Sequence, residues 1–283
     1  WEILLDGKNR EVLLHLSLIK KVGCKSVLKI IKKFFQDFCS NHKNPEINLP
    51  KIDLTKIYEY RLNDLIDIGL SQTIAQTIFE GLKDKKNLEQ ELSLIEKYKI
   101  DFLTFLDDLY PVELKQIYSP PIVLYCKGLV LDSSEYKKRI AVVGARKANA
   151  YAESVINEII PNLVENNYAI VSGGASGVDS MAHETTIKNK GKTIVVLGSG
   201  LMCPYPESNK SLFREIAKHG GTLISPFPLQ MEPLKGNFPA RNRVIAGLSS
   251  GCLVVQAAKR SGALITAQFA LDEGRQVFAI PGD

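Results

Sequence analysis

Glycines, hydroxyl groups and basic side chains are concentrated in four short segments of the chain. Glycine turns leave backbone amides open to a ligand, and a helix that starts at such a turn directs its positive end to the same place. Arginines nearby would add charge-assisted hydrogen bonds to an anion. The segments are residues 144–147, 172–179, 235–243 and 259–266. Together they predict a site for phosphate groups.

A dinucleotide site and a catalytic pair are the alternatives that the same segments raise. After Gly144 the second and third glycines of the dinucleotide fingerprint are absent, and Ser172 and Gly173 stand where an acid would bind ribose. Asp179 and His183 are four residues apart on a predicted helix, but no nucleophile accompanies them. Fixing the loop geometry is therefore their favoured role. We predict a binding protein, not an enzyme, without a cofactor or a metal.

Two arginines follow Pro239, which suits the first turn of a helix. Arg241 and Arg243 are two residues apart, so their side chains would point in directions about 200° apart. We expect one of them to face the ends of the strands and the other to pack against the body of the domain or a neighbouring loop.

Short apolar runs rich in β-branched residues alternate with amphipathic stretches from residue 97 onward. Strands that alternate with helices predict a parallel sheet covered on both faces, and ligands bind such sheets at the carboxyl ends of the strands. The fold class is therefore α/β, an extended Rossmann-like domain over residues 97–283. The predicted strands are residues 124–126, 140–143, 169–171, 193–197, 222–224, 252–255 and 276–279.

Residues 1–96 are predicted to form a small all-α domain. Apolar residues at helical spacing flank Gly23, and a second such pair flanks Gly69. A polar stretch at residues 40–50 separates the two pairs. Two helix–turn–helix pairs resemble SAM-like or helix-hairpin-helix modules, and Asp64 and Asp67 beside the second turn favour a packing role.

The composition sets loose limits. Lys and Arg number 36 against 31 Asp and Glu, so the net charge of +5 permits a polyanionic partner without requiring one. Five scattered cysteines predict reduced, partly buried thiols, not a disulfide framework or a zinc site. No run approaches the roughly 18 residues that a bilayer span needs. We expect a cytoplasmic protein without a membrane partner.

These motifs resemble the DNA-processing protein A (DprA/Smf) family, in the family's order. Residues 107–111 and 120–125 resemble it as well. Two positions depart from the family pattern: Pro226 replaces the usual Glu, and Gln256 stands where Glu is frequent. The matching segments are residues 140–147 (IAVVGARK), 171–183 (VSGGASGVDSMAH), 192–206 (KTIVVLGSGLMCPYP), 237–249 (NFPARNRVIAGLS) and 254–283.

The resemblance implies a homodimeric protein that binds single-stranded DNA, protects incoming strands in natural transformation and helps load the RecA recombinase. It places Arg146, Lys235, Arg241 and Arg243 in the DNA pocket. If the chain binds a single strand, Phe238 and Tyr205 are candidate rings for stacking on bases, with packing in the core as the alternative role for either. The full set of predicted DNA-binding residues is Gly144, Arg146, Lys147, Ser172, Gly173, Gly174, Ala175, Gly177, Lys235, Asn237, Phe238, Arg241, Asn242, Arg243, Ser261 and Gly262.

The alternative function is that of a nucleotide phosphoribohydrolase of the lysine-decarboxylase-like group. That group resembles this chain in architecture but carries a Pro-Gly-Gly-x-Gly-Thr-x-x-Glu signature. Residues 261–268 read SGALITAQ, without a carboxylate in the catalytic place. Because a fold alone says nothing of chemistry, the missing acid favours the binding protein.

Overall fold

The computed structural model describes residues 7–41, 52–128 and 138–282. These residues pack as two compact units. The first contains the described residues up to Tyr110 together with Ser119–Val123, and the second contains Pro111–Tyr118 and the described residues from Leu124 onward. The units therefore divide later than the predicted boundary at residues 96 and 97. The predicted polar linker at residues 40–50 lies mainly outside the described ranges.

The first unit is mainly helical. Two helices flank Gly23 and two flank Gly69, as the apolar spacing predicts, and a fifth follows. Val12, Val27, Leu65 and Ile78 are buried in this unit. The bounds are α1 Gly7–Leu18, α2 Cys24–Asn41, α3 Leu62–Asp67, α4 Gln72–Gly81 and α5 Lys86–Tyr98, followed by strand β1 Asp101–Thr104. The two helix pairs are confirmed, and their likeness to SAM-like modules stays a prediction.

The second unit contains seven strands, and each contains or overlaps one of the seven predicted runs. Their spatial order is β2-β6-β5-β4-β3-β7-β8. Every pairing is parallel except that of β2 with β6. The bounds are β2 Val123–Gly128, β3 Lys138–Gly144, β4 Tyr168–Ser172, β5 Thr193–Val196, β6 Thr222–Ser225, β7 Gly251–Gln256 and β8 Gln276–Ala279. The predicted α/β class and largely parallel sheet are confirmed.

Helices connect these strands and bury apolar residues against the sheet. Val142 and Ile170 of the sheet pack with Ile156, Val178 and Leu253 in one core cluster. Burial of such aliphatic side chains provides most of the driving force for folding. The bounds are α6 Val112–Lys115, α7 Ala150–Glu165, α8 Val178–Lys188, α9 Lys210–Lys218, α10 Asn237–Leu248 and α11 Gly262–Asp272.

The strand order reverses beside β3. From β3 the chain adds β4, β5 and β6 on one side, and then places β7 and β8 on the other. Such a reversal opens a crevice at the carboxyl ends of the two strands where the connections diverge. Here these strands are β3 and β7, which end at Gly144 and Gln256.

Two predictions from composition concern the whole chain. All five cysteines fall within the described ranges and are free thiols, of which Cys126 and Cys252 are buried. Across the part of the chain that the structure describes, we find no helix with the length and hydropathy to cross a bilayer.

Candidate nucleic-acid interface

A cavity of about 320 Å³ lies at the crevice where the strand order reverses. We call it the strand-end cavity. Its wall comes from the turns after β3, β4 and β7 and from α10 and α11, so residues from all four predicted segments meet there. The lining residues are Val143, Gly144, Ala145, Arg146, Ala175, Asp179, Phe238, Pro239, Arg241, Asn242, Ile245, Ser261, Gly262, Ala263, Ile265 and Thr266.

Arg241 is buried in the wall of this cavity, with 6% of its surface exposed. Its Nη1 donates hydrogen bonds to the carbonyl oxygens of Gly173 and Val196, both at 2.6 Å. Its Nε donates to Asn242 Oδ1 at 3.0 Å, and Asn242 Nδ2 donates to the Gly262 carbonyl at 3.3 Å. Arg241 and Asn242 therefore connect the ends of β4 and β5 with the start of α11.

Asp179 provides the negative charge beside Arg241. Its Oδ2 accepts hydrogen bonds from the backbone N–H groups of Gly173 at 3.1 Å and Ala175 at 3.3 Å. Burial raises the pKa of Asp179, and the charge of Arg241 opposes that rise. Burial in turn lowers the pKa of Arg241 to about 10, so the guanidinium remains charged at neutral pH. Asp179 thus fixes the loop after β4, the role favoured from the sequence.

Two glycines allow the turns to approach this closely. A Cβ on Gly173 would lie 2.6 Å from Arg241 Nη1, where any side chain would displace the guanidinium. Gly177 has φ +80°, and a Cβ there would overlap the carbonyl oxygen of Ala145. Val178 N donates to that same carbonyl at 3.1 Å, so the turns after β3 and β4 are joined directly. Positive φ favours glycine because it has no Cβ.

Arg146 is exposed and lines both the strand-end cavity and a smaller cavity of about 60 Å³ beside it. Its positive charge contributes to lowering the pKa of Arg241, so the two guanidinium groups repel each other across this site. An anion bound between them would relieve that repulsion, because opposite charges at short range favour both charged forms.

Aromatic rings close the smaller cavity. Tyr205, with 45% of its surface exposed, and Phe238 both line it. Their ring centroids are 5.9 Å apart, and the rings are inclined at 59°. Aromatic faces next to basic groups suit a ligand that carries both flat rings and phosphates.

The start of α11 presents a further polar group. Ser261 precedes the first residue of the helix, and its hydroxyl oxygen is buried without a hydrogen-bond partner among the described residues. Backbone amides at a helix start lack intrahelical partners and attract anions. Ser261 and Gly262 both line the strand-end cavity.

Comparison with known proteins decides the family. The family model described as DNA recombination-mediator protein A matches residues 101–283. The chain belongs to this family. A DNA processing protein DprA of Bacillus subtilis is 40% identical over 218 residues, which are 75% of this chain and 73% of that protein.

Solved structures of other family members share the fold. The X-ray structure of DNA processing protein A from Streptococcus pneumoniae has a TM-score of 0.78 and 33% identity, over 99% of this chain and 88% of that one. DNA processing protein A from Helicobacter pylori, whose structure describes its single-stranded DNA binding mode, has a TM-score of 0.59 and 30% identity, over 65% of this chain and 82% of that one.

Nine of the sixteen residues predicted as the DNA site of this chain line the two cavities. They are Gly144, Arg146, Gly173, Ala175, Phe238, Arg241, Asn242, Ser261 and Gly262. The predicted difference between the two arginines of α10 is confirmed. Arg241 meets the strand ends, whereas Arg243 pairs with Glu273 at 3.1 Å and lies 4.3 Å above the centroid of the Phe269 ring.

The other predicted residues lie behind or beside the cavities. Ser172 is buried and donates to the Val142 carbonyl at 2.6 Å, and Gly174 accepts a hydrogen bond from Asn209 at 3.0 Å. Gly177 joins the two turns. The remaining three lie beside the cavities. Lys147 and Lys235 are exposed, and Asn237 Nδ2 donates to the Glu232 carbonyl at 3.5 Å.

The site predicted from the sequence did not include the apolar residues that line the strand-end cavity. Ile245 and Ile265 belong to helices whose apolar residues are typical of core packing. Residues at positions i and i+4 lie on the same face of a helix. The spacing of Ile245 from Arg241 could therefore have predicted that Ile245 faces the same cavity. At Gln256, the departure from the family pattern, Oε1 accepts a hydrogen bond from Asn149 N at 3.3 Å, next to the start of α7.

His183 is a buried histidine whose surroundings favour the neutral ring. Thr193 Oγ1 donates to the Ile170 carbonyl at 2.8 Å, so His183 Nδ1 is the donor in its 2.6 Å contact with that oxygen. Nε2 is buried without a hydrogen-bond partner among the described residues. Burial, followed by the charge of Arg241, lowers the His183 pKa from 6.5 to about 3.

The pH dependence of stability tests this assignment. Below pH 6.5 the His183 ring is protonated in the unfolded chain but stays neutral in the folded chain. The free energy of unfolding therefore falls as the pH falls from 6.5 toward 3. Between pH 7 and pH 5 the free energy of unfolding should drop by about 2 kcal/mol from this histidine. The free energy of unfolding of His183→Gln, measured by urea unfolding, should not show this drop. The control is His219→Gln, which replaces an exposed histidine. Equal pH dependence of wild type and His183→Gln would contradict the assignment.

Proposed function

We propose that the strand-end cavity binds single-stranded DNA, with phosphates at the guanidinium groups and backbone amides and with bases against the apolar wall. The observation that carries the proposal is the pair of guanidinium groups, Arg146 and Arg241, facing one cavity at the start of α11. Their two positive charges face one carboxylate, Asp179, among the lining residues, so the site is electropositive and suits an anion such as phosphate.

A single strand fits this site better than a duplex. The wall combines polar groups with Ile245, Ile265 and Phe238, which would contact unpaired bases. In a duplex the bases are stacked and only their edges face the grooves. The single-stranded DNA binding mode described for the relative from Helicobacter pylori supports the same assignment.

The contacts of Asp179, the acidic residue of the cavity, fit a binding site better than a catalytic site. Asp179 is the one carboxylate among the lining residues, and its Oδ2 accepts two backbone hydrogen bonds. A general base needs access to the proton that it abstracts. Asp179 is instead committed to the loop. Protection of incoming strands in natural transformation and loading of RecA extend the proposal, and family membership supports them.

Arg146→Ala tests the site most cleanly, because this side chain is exposed and its loss leaves no buried group unpaired. The log–log dependence of single-strand affinity on salt should flatten by about 0.7 for each lost phosphate contact. Arg241→Ala is less informative, since it also removes the hydrogen bonds to Gly173 and Val196. Affinity is measured by fluorescence anisotropy with a labelled oligonucleotide over a salt series.

The matched control is Arg214→Ala, which removes an exposed arginine of α9 outside both cavities. It should bind with the wild-type slope. If Arg146→Ala and Arg214→Ala give the same affinity and slope, the strand-end cavity is not the single-strand site.

We also propose that the protein forms a homodimer through α11 and β8. Strand β8 ends the strand order of the second unit, so its outer edge is open among the described strands. Exposed apolar side chains lie on β8 and on α11, which packs beside it, with Leu264 at 42%, Leu271 at 56% and Phe278 at 48% exposure. An open edge beside apolar residues favours pairing with another chain, and a second copy is the commonest partner.

Leu271→Asp should weaken this dimer, because it would place a charge in the buried apolar centre of the interface. Sedimentation velocity over a concentration series should show the monomer at concentrations where the wild type is dimeric. Leu234→Asp is the control, since Leu234 is 54% exposed but lies in the loop before α10. A dimer equally stable in both variants would contradict the assignment of this surface.

A further inference from the structure

The positive charge of the chain is concentrated near its N-terminal end. Residues 7–41 contain eight Lys and Arg against two Asp and Glu. Their net charge of +6 exceeds the +5 of the whole chain, so the remaining residues sum to −1. This part of the sequence lies in the first unit and contributes nothing to the strand-end cavity.

Helix α2 arranges much of this charge on one side. Lys25, Lys29 and Lys32 follow the spacing i, i+4, i+7, which keeps them within an arc of about 60° on a helix. All three are exposed, as is Lys21 in the turn before the helix. We call these four residues the α2 lysine face. The opposite side of α2 is apolar and holds Val27, Ile30, Ile31 and Phe34, all buried.

Neighbouring groups do not cancel the charges of Lys21, Lys29 and Lys32. Lys33 lies outside the arc and is neutralised by Asp37 at 2.6 Å. Lys29 Nζ donates to the Gly69 carbonyl at 2.5 Å, which holds its ammonium in place without cancelling its charge. Lys21 and Lys32 have no hydrogen-bond or ion-pair partner among the described residues.

We propose that the α2 lysine face binds the phosphate backbone of duplex DNA, as a second nucleic-acid surface distinct from the strand-end cavity. The inference goes beyond the proposed function and does not depend on it. A protein with both surfaces would hold a single strand and a neighbouring duplex at the same time.

Duplex DNA matches the chemistry and the shape of this face. From Lys25 to Lys32 the helix advances about 10 Å, and the same length of duplex carries about six phosphate charges. The aromatic rings of α2 are buried or partly buried, so the face has no exposed ring of its own for unpaired bases. A convex row of lysines without such rings would contact the phosphates of a duplex and would not distinguish base sequences.

The test uses the whole chain with Lys21→Gln, Lys25→Gln and Lys32→Gln combined, leaving Lys29 and its bond to Gly69 intact. Its matched control combines Lys56→Gln, Lys86→Gln and Lys97→Gln, which removes the same charge from exposed, separated positions of the first unit. The salt dependence of affinity is measured for a blunt duplex and for a single strand of about ten nucleotides, within the usual site size of such proteins.

For the duplex, the log–log slope of the test variant should flatten by about 2 to 3, at about 0.9 for each lost contact. Short-strand affinity should stay at the wild-type value, and the control should resemble wild type for both ligands. Equal duplex slopes in test and control variants overturn the proposal, as does a parallel loss of short-strand affinity. If Arg146→Ala leaves single-strand binding unchanged, that result contradicts the proposed function and not the proposal for the α2 lysine face.

A charge-conserving variant separates the lysine charge from damage to the fold. Lys21→Arg, Lys25→Arg and Lys32→Arg combined should keep the wild-type duplex slope, since guanidinium groups also bind phosphate. Loss of duplex binding in this arginine variant overturns the proposal. Thermal unfolding of all three combined variants shows whether α2 stays packed.

Discussion

The hydrogen bonds of one buried guanidinium hold the ligand site of this protein together. Arg241 joins the carbonyl oxygens at the ends of β4 and β5, and through Asn242 it reaches the start of α11. A buried charge is tolerated only when it is paired and its donors are satisfied. Asp179 provides the opposing charge and fixes the loop amides of Gly173 and Ala175. The turns therefore keep their shape before any ligand arrives.

Preorganisation of this kind determines what the site can do. Donors held by the fold lose little conformational entropy when they bind an anion, so more of the interaction energy appears as affinity. Arg146 differs, because it is exposed. A buried inner guanidinium and an exposed outer one suit the flexible single strand that we propose as the ligand.

Sequence reasoning predicted the parts of the fold that depend on local pattern. The seven strands of the second unit and the two helix pairs of the first were readable from apolar spacing. It did not predict β1, which is only four residues long. The two compact units divide near Tyr110, because packing and not composition defines them. In the site it found the glycines and arginines but missed Ile245 and Ile265, since only tertiary structure shows which apolar residues face a cavity.

Amide hydrogen exchange with and without a single-stranded oligonucleotide tests the central claim most directly. Our account predicts that the oligonucleotide slows exchange in three turns at once, at residues 144–146, 173–175 and 261–263. These backbone groups lie in three separate segments of the sequence, and each segment contributes residues to the strand-end cavity or to the smaller cavity beside it. Protection confined to other parts of the chain, with these turns unchanged, would contradict the account.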